Sequence, residues 1–284
     1  MLMICGIKVK LDSRVISQLL QNSALEFQSI LNCSTGEVDT KKFLDEEGIF
    51  ISVKNAGYGY IKGSLHKYKN KGHHNHDDFS WPEVSETNQR LSDRLMVDVR
   101  KLPLINLEWG LNIPMDADPN MLLSGLVRHN GSPFKNMYVF PGKHYVANHR
   151  DYEVKIYNKS AQYRLSSHLL RYELSSKKAR FFNRLGIGCL GDLEKNDNQS
   201  QLFHSLLSEW DNILLIDPLI YTNAENSRKD EIRLANWKNP SFWNKSNRRV
   251  RSYQLEQYEK YLLQHHMRTK EKFGELLRRK FIQL

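Results

Sequence analysis

Short segments in which hydrophobic and polar residues alternate recur along the chain. Successive side chains of a β-strand point to opposite faces of the sheet, so each such segment predicts a strand with one apolar and one polar face. The segments are residues 1–11, 49–53, 57–68, 106–113, 153–159 and 170–175. A further strand is predicted near residues 137–140, after the turn Asn130-Gly131.

Other segments repeat their hydrophobic residues at intervals of three and four, which predicts helices. They are residues 15–31, 81–102, 119–129, 201–216 and 252–282, and residues 223–247 are predicted to form a linker or loop. Strand pairs interrupted by helices favour an α+β fold, with an antiparallel central sheet and helices packed on one face. We expect two domains, residues 1–195 and a helical, basic region at 196–284.

Reactive side chains lie on the polar faces of four predicted strands. If those faces coincide in the sheet, one site would combine His66, Glu108, Tyr157, Lys159 and Glu173. Lys155 and Arg171 lie on the same faces and add positive charge.

A tyrosine flanked by lysines and carboxylates has the parts needed to attack a phosphodiester. A divalent cation held by carboxylates would neutralise the phosphate and polarise the leaving oxygen. The tyrosine pKa is near ~10, so we expect Lys159 to stabilise the phenolate. For each residue taken alone, a solvated charge or a packed aromatic ring is the ordinary alternative, and only the joint pattern favours chemistry.

Several motifs resemble those of a known family. They are Tyr157-Asn158-Lys159, Leu170-Arg171-Tyr172-Glu173, Arg184-Leu185-Gly186-Ile187 and Asp192-Leu193. In this order they resemble the gene II replication initiators of filamentous bacteriophages and, more loosely, the rolling-circle initiators of plasmids. The resemblance runs from near Tyr58 to Leu193. It departs at Asn106-Leu107-Glu108, where the family has Arg-Ile-Asp, whereas Gly72-His73-His74-Asn75 is the equivalent of the family's Gly-His-Asn.

The resemblance implies a metal-dependent nickase that cleaves one strand of DNA at an origin. Tyr157 would form a 5′-phosphotyrosine bond and leave a 3′ hydroxyl as primer, with Lys159 beside it. Glu108, Glu173 and His66 would hold Mg²⁺ or Mn²⁺. The partners would be origin DNA, as duplex and single strand, and possible host replication proteins.

Other functions stay open at this stage. The same sheet suits a non-catalytic regulator that binds nucleic acid, and the same chemistry serves transposition or plasmid mobilisation. The sequence also leaves open whether a second tyrosine takes part, among Tyr138, Tyr145 and Tyr163.

The positive charge of the chain is concentrated near its C-terminal end. The formal net charge is +10, and residues 227–284 hold 15 Lys and Arg against 6 Asp and Glu. Clustered cations are typical of phosphate contacts, so we expect Arg248, Arg249 and Arg251 to bind DNA together with Lys155 and Arg171. The aromatic residues of this region suit base stacking, and a solvated amphipathic helix is the alternative for each position.

The cysteines and histidines of the sequence bear on disulfide bonds, metal binding and the cellular compartment. Three widely spaced cysteines form no disulfide framework and no CxxC pair, and no apolar run approaches the ~20 residues of a membrane span. We therefore expect a protein of the bacterial cytoplasm without a membrane partner. The loop with His73, His74 and His76 lacks the ligand spacing of a zinc site and is predicted to be solvated.

Overall fold

The computed structural model describes residues 3–55, 57–138, 142–221 and 226–283. Within these residues, twelve strands form one sheet. They are β1 (Met3–Leu11), β2 (Gln28–Leu31), β3 (Val38–Glu46), β4 (Ile49–Asn55), β5 (Tyr58–Gly63), β6 (Leu104–Pro114), β7 (Leu126–His129), β8 (Ser132–Asn136), β9 (His144–Asn148), β10 (Tyr152–Asn158), β11 (Leu169–Ser176) and β12 (Ile213–Leu215).

The described residues also contain eleven α-helices and three 3-10 turns. The helices are α1 (Ser13–Gln21), α2 (Leu65–Lys69), α3 (Trp81–Leu95), α4 (Pro119–Ser124), α5 (Lys159–Tyr163), α6 (Arg180–Asn183), α7 (Asn196–Asp211), α8 (Arg228–Lys238), α9 (Pro240–Lys245), α10 (Arg248–Gln264) and α11 (Thr269–Gln283). The 3-10 turns are Val99–Lys101, Leu190–Glu194 and Pro218–Tyr221.

The strands follow the order β12-β7-β8-β9-β10-β11-β6-β1-β5-β4-β3-β2 across the sheet. The pairings between neighbouring strands are antiparallel. This architecture confirms the predicted α+β class, with a helical C-terminal region. Strands β10, β11, β6 and β1 are adjacent near the middle of the sheet, where backbone hydrogen bonds hold each strand on both sides.

The apolar face of the central strands packs against α7. Trp109 and Tyr172 are fully buried in this layer. The Trp109 indole N–H donates to the backbone oxygen of Leu202 at 3.2 Å, and the Tyr172 hydroxyl donates to that of Leu206 at 2.9 Å. Burial of each large side chain stabilises the fold by about 1.5–3 kcal/mol, so α7 is fixed firmly on the sheet.

The C-terminal helices contain a second hydrophobic core. Its buried members are Val127, Ile216, Ile220, Leu234, Trp237, Trp243, Tyr258, Tyr261 and Met267. Most of the aromatic residues of the C-terminal region that could stack on bases are therefore part of this core, where they pack against one another and against β7. Of that set, Tyr253 keeps a large exposed fraction, 52%. The domain boundary between residues 195 and 196 stays a prediction.

Several predicted strands and helices end earlier than the hydrophobic pattern indicated, among them the helices predicted at 81–102 and 201–216, which end at Leu95 and Asp211. The strand predicted at 57–68 stops at Gly63, because the Ser64 side chain accepts a hydrogen bond from the backbone N–H of Lys67 and starts α2. The helix predicted at 15–31 ends at Gln21 and is followed by β2.

Other predicted boundaries also change in the structure. The segment 119–129 divides into α4 and β7, residues 252–282 divide into α10 and α11, and residues 228–245 of the predicted linker form α8 and α9. The strand predicted near 137–140 is found earlier, as β8, and residues 139–141 lie outside the described residues. The cysteines Cys5, Cys33 and Cys189 are free. In the described part of the chain, no helix has the length and apolar character to cross a bilayer.

Candidate active site

Strands β10, β11 and β6 bring predicted reactive residues together in the middle of the sheet. In the register of β10 and β11, Lys155 lies opposite Glu173 and Tyr157 lies opposite Arg171. The next strand, β6, adds Glu108, whose carboxylate accepts a hydrogen bond from Lys155 Nζ at 2.8 Å. The polar faces of three strands therefore coincide.

We name Lys155, Glu108, Glu173 and Arg171 the central charged cluster. Lys155 Nζ lies 2.8 Å from Glu108 Oε1 and 3.9 Å from Glu173 Oε1. Arg171 Nε donates to Glu173 Oε2 at 2.9 Å. Gly6 on β1 leaves room for this arrangement, because a Cβ atom there would lie 2.8 Å from a Glu108 carboxylate oxygen. Each carboxylate of the cluster thus has a cation of the protein beside it.

The pKa shifts within the cluster keep its ion pairs charged. Burial raises the pKa of the Glu173 carboxyl, but Arg171 and Lys155 outweigh burial and leave its pKa below the ordinary value. Burial lowers the pKa of Lys155, and the charges of Glu173 and Glu108 more than reverse that shift. Glu173 and Lys155 are therefore both charged at neutral pH.

Arg171 is buried and connects several polar groups of the site by hydrogen bonds. Its side chain is 0% exposed, and besides Glu173 it donates to Asn112 Oδ1 at 3.2 Å and to the Cys5 sulfur. Burial raises the pKa of the Cys5 thiol to about 11, so this cysteine is protonated at neutral pH. The guanidinium of Arg171 is buried in this structure, and the DNA contact predicted for this residue stays a prediction.

Tyr157, the predicted nucleophile, is also buried. Its side chain is 7% exposed, and its ring centroid lies 4.8 Å from that of His144 on the neighbouring strand β9. Burial raises the pKa of the Tyr157 phenol well above its ordinary value, and the negative charge of Glu173 adds to this shift. In this conformation the group is a neutral phenol within the protein.

Lys159 does not continue the strand that carries Tyr157. The side chain of Asn158 caps a new helix, so Lys159 is the first residue of α5. Its Nζ atom donates to Asn75 Oδ1 at 2.7 Å and lies 5.4 Å from the ring centroid of Tyr157 and 4.9 Å from that of Tyr163. Burial and the charge of Arg171 lower the pKa of Lys159 to about 8.

Residues 70–79, which we name the Asn75 loop, reach the site from another part of the sequence. The Asn112 side chain of β6 donates to the backbone oxygens of Asn75 and Asp77, at 3.2 Å each. The Tyr163 hydroxyl donates to Asn75 Oδ1 at 2.8 Å, next to Lys159. The sequence analysis assigned no role to Asn112, offered Tyr163 only as a possible second tyrosine, and pointed to Asn75 only through the Gly-His-His-Asn motif.

His66 lies beside the Asn75 loop instead of among the carboxylates. Its Nε2 atom is 2.6 Å from Asp77 Oδ1, and its ring stacks on Phe79 with centroids 4.9 Å apart. Burial lowers the pKa of His66 despite the bond to Asp77. The predicted grouping of His66 with Glu108 and Glu173 on neighbouring strand faces is wrong, because His66 belongs to α2.

The predicted metal ligands do not form a metal site as they are placed here. Glu108 and Glu173 hold Lys155 and Arg171, and His66 holds Asp77. Across the residues that the structure describes, no group of three or more His, Cys, Asp or Glu side chains could hold a metal ion. Mg²⁺ and Mn²⁺ need several free oxygen ligands, so these residues do not fit either ion in this arrangement. Dependence on Mg²⁺ or Mn²⁺ stays a prediction.

The remaining predicted DNA contacts are on α10. Arg248 and Arg249 are exposed in its first turn, whereas Arg251 is partly buried and donates to the backbone oxygen of Trp243 at 3.4 Å. Lys155, in contrast, is 18% exposed and engaged with carboxylates. Within the described residues, the arginines of α10 therefore offer the more accessible positive charge.

Buried and half-buried histidines should make the protein less stable in acid. Burial is the main cause of the lowered pKa values of His66, His144 and His149. Below pH 6.5, the ordinary histidine pKa, the unfolded chain binds more protons than the folded protein. The free energy of unfolding should therefore fall as the pH drops through 6.5.

Urea unfolding measured between about pH 8 and about pH 5 tests this expectation. His149→Gln should reduce the slope, because it removes one of the titrating groups. A urea midpoint that stays constant across this pH range would contradict the inference that these histidines are neutral in the folded protein.

Comparisons with known proteins include a match to a solved structure. A solved structure described as a rolling circle replication initiator protein from Geobacillus stearothermophilus aligns with 84% of this chain and 96% of its own, at 12% identity and a TM-score of 0.45. No family model matches the chain, and no curated protein matches it. At this low level of similarity, the match assigns no role to any residue.

Proposed function

We propose that this chain is a DNA-nicking replication initiator of the rolling-circle type. A tyrosine oxygen attacks a backbone phosphorus, a phosphotyrosine bond forms at the 5′ side, and the bond from phosphorus to the 3′ oxygen breaks. The phenol loses its proton to solvent or a base, and the leaving 3′ oxygen gains one. One phosphodiester replaces another, so no nucleotide is consumed and reversal rejoins the strand.

One observation carries the proposal: the segments that bear the resemblance lie side by side in the sheet. Lys155 and Glu173 are neighbours on β10 and β11, and Glu108 on β6 contacts the same lysine. Asn75, in the Gly-His-His-Asn motif, contacts Lys159. Residues between positions 75 and 173 of the sequence thus form one polar network.

The tyrosine that attacks must reach a DNA backbone. Tyr157 is the residue that the resemblance predicts, but its 7% exposure means that it would have to be uncovered before it could react. Two other tyrosines at this end of the sheet are more accessible, Tyr138 at 91% exposure and the half-buried Tyr163. Tyr163 also shares Asn75 Oδ1 with Lys159, the cation proposed to stabilise a phenolate.

Lys159 should give nicking a characteristic dependence on pH. With a pKa of about 8, its ammonium is lost as the pH rises through that value, and the phenolate then loses its nearby cation. We expect the rate of nicking to decline above about pH 8 for that reason. Lys159→Arg should shift the decline to higher pH, because arginine stays charged.

A matched control for this prediction is Lys101→Arg, an exposed lysine paired with Asp98. It should leave the pH profile unchanged. An identical decline in the wild type and in Lys159→Arg would exclude Lys159 as the titrating group.

The experiment that tests the function is direct detection of a covalent adduct. The protein would be incubated with single-stranded oligonucleotides that tile the replicon encoding it, in Mg²⁺, in Mn²⁺ and in EDTA, and then analysed by mass spectrometry. We expect an adduct of one oligonucleotide fragment on one tyrosine, together with a free 3′ hydroxyl fragment. The EDTA arm tests the predicted need for a metal.

A second candidate function is a non-catalytic regulator that binds DNA or RNA. The burial of Tyr157 and of the central charged cluster favours it, because a merely structural polar network needs no access to substrate. In that case the same oligonucleotides would bind, but neither an adduct nor a cleaved strand would form.

A further inference from the structure

A pocket of about 520 Å³ lies where the β7 and β12 edge of the sheet meets the C-terminal helices. Its lining includes Arg128 of β7, Leu214 of β12, Trp243 of α9, and Arg248 and Arg251 of α10. The proposed nicking site makes no use of it. The arginines in its lining belong to different parts of the fold.

Arg128 is incompletely bonded. Its Nη2 atom donates to the backbone oxygen of Asn130 at 2.9 Å. Its Nη1 atom is shielded from solvent and has no hydrogen-bond partner within the described residues. A buried donor without an acceptor is destabilising, and more so when it is charged, so this atom needs an acceptor.

Arg251 places a second positive charge beside the first. Its own hydrogen bond goes to the backbone oxygen of Trp243 at 3.4 Å, which leaves its charge without a carboxylate among the described residues. Burial lowers the pKa of Arg128, and the charge of Arg251 lowers it further. Two guanidinium groups that repel each other without a counter-ion form a site for an anion.

The acidic residues of the pocket act on another group. Asp211, Glu259 and Glu271 line it as well, and all three raise the pKa of Lys270 against the lowering caused by burial. None of them is among the charges that shift Arg128. The pocket is therefore divided between an acidic part around Lys270 and a part that is positive.

We propose that Arg128 and Arg251 bind a backbone phosphate of duplex DNA in this pocket. Phosphate oxygens accept paired hydrogen bonds from guanidinium groups. The side chain of Arg128 is half-buried, and a turn of its guanidinium toward the pocket would let a phosphate satisfy the unpartnered Nη1 atom. Arg248, on the rim, and Arg249, exposed in the same helical turn, continue the positive surface outward, which suits a polymer with successive phosphates. The choice of DNA as the source of the phosphate rests on the proposed function.

The test is the salt dependence of binding to a duplex oligonucleotide, followed by fluorescence anisotropy without any cleavage step. Each phosphate contact contributes about 0.9 to the slope of log K against log salt. Because the two arginines share one phosphate, the double variant Arg128→Gln with Arg251→Gln should reduce that slope by about 0.9. Each single variant should remove part of this amount and weaken binding to all sequences equally. Arg128→Lys should keep most of the slope, which separates loss of charge from loss of folding.

Arg94→Gln is the matched control, because it removes the same charge from an arginine that pairs with Glu46 near the opposite edge of the sheet. It should leave the slope unchanged. An unchanged slope in Arg128→Gln would overturn the proposal. A second result would also overturn it: inorganic phosphate raises the melting temperature of the wild type but not of the arginine variants, while the salt slopes of DNA binding are equal in all of them. The ligand of the pocket would then be a free anion.

The outcome is independent of nicking. If the wild type forms no covalent adduct but the arginine variants lose salt slope, the proposed function fails and the phosphate pocket stands. If adducts form and the slopes are equal, the pocket fails and the function stands.

Discussion

Replacing Arg171 with methionine should lower the free energy of unfolding by about 3–5 kcal/mol, because it leaves a buried carboxylate without its closest cation. Arg171 and Glu173 are 0% and 5% exposed and lie 2.9 Å apart. Methionine fills much of the same space, so the expected loss comes from the unpaired charge more than from a cavity. Lys155, at 3.9 Å from Glu173, is too far to replace the lost bond fully.

Urea unfolding of three variants measures this effect. The double variant Arg171→Met with Glu173→Gln should recover part of the loss, because the amide of glutamine is neutral and leaves no unpaired buried charge. Arg14→Met, at an exposed position of α1, should change stability by no more than about 0.5 kcal/mol. Equal destabilisation in the single and double variants would show that the ion pair is not the source.

Phenylalanine at the attacking tyrosine should abolish the covalent DNA adduct, because the ring then has no nucleophilic oxygen. We expect this loss in one of three variants, Tyr138→Phe, Tyr157→Phe or Tyr163→Phe, and adduct formation in the other two. The resemblance predicts Tyr157, whereas exposure favours Tyr138 and Tyr163. Adduct yield on the reactive oligonucleotide, measured at equal protein stability, is the readout.

Tyr253→Phe serves as the matched control, since Tyr253 is an exposed tyrosine of α10 outside the candidate site. It should form the adduct as the wild type does. If all four variants retained the adduct, the chemistry would not depend on any of these tyrosines and the proposed nucleophiles would be wrong. Duplex binding measured in parallel would show that a variant without adduct still engages DNA.

For the central strands, the sequence correctly predicted which residues lie on the polar face of the sheet. Alternation in β10 and β11 identified Lys155, Tyr157 and Glu173 as polar-face residues, and the register makes them neighbours of their cross-strand partners. This prediction was possible because the two-residue period of a strand is a local property of the chain. The same reasoning failed for His66, because a single capping serine turned the expected strand into a helix.

The accessibility of the site could not be predicted in the same way. The Asn75 loop contacts Lys159 across 84 positions of sequence, and the burial of Tyr157 comes from neighbouring elements. The pocket near Arg128 likewise needs α10 to approach the sheet edge. Alternation says which face a residue occupies but nothing about what covers that face.

The sequence by itself therefore determined the α+β class, the polar face of the central strands and the concentration of positive charge in the C-terminal region. Only the tertiary structure decided that Arg171 is an internal ion pair, that most aromatic residues of the C-terminal helices form a core, and that Arg128 and Arg251 share a pocket. The physical reason is the distance along the sequence between the residues that interact. Strand periodicity and composition depend on adjacent residues, whereas burial and charge pairing depend on contacts between distant segments.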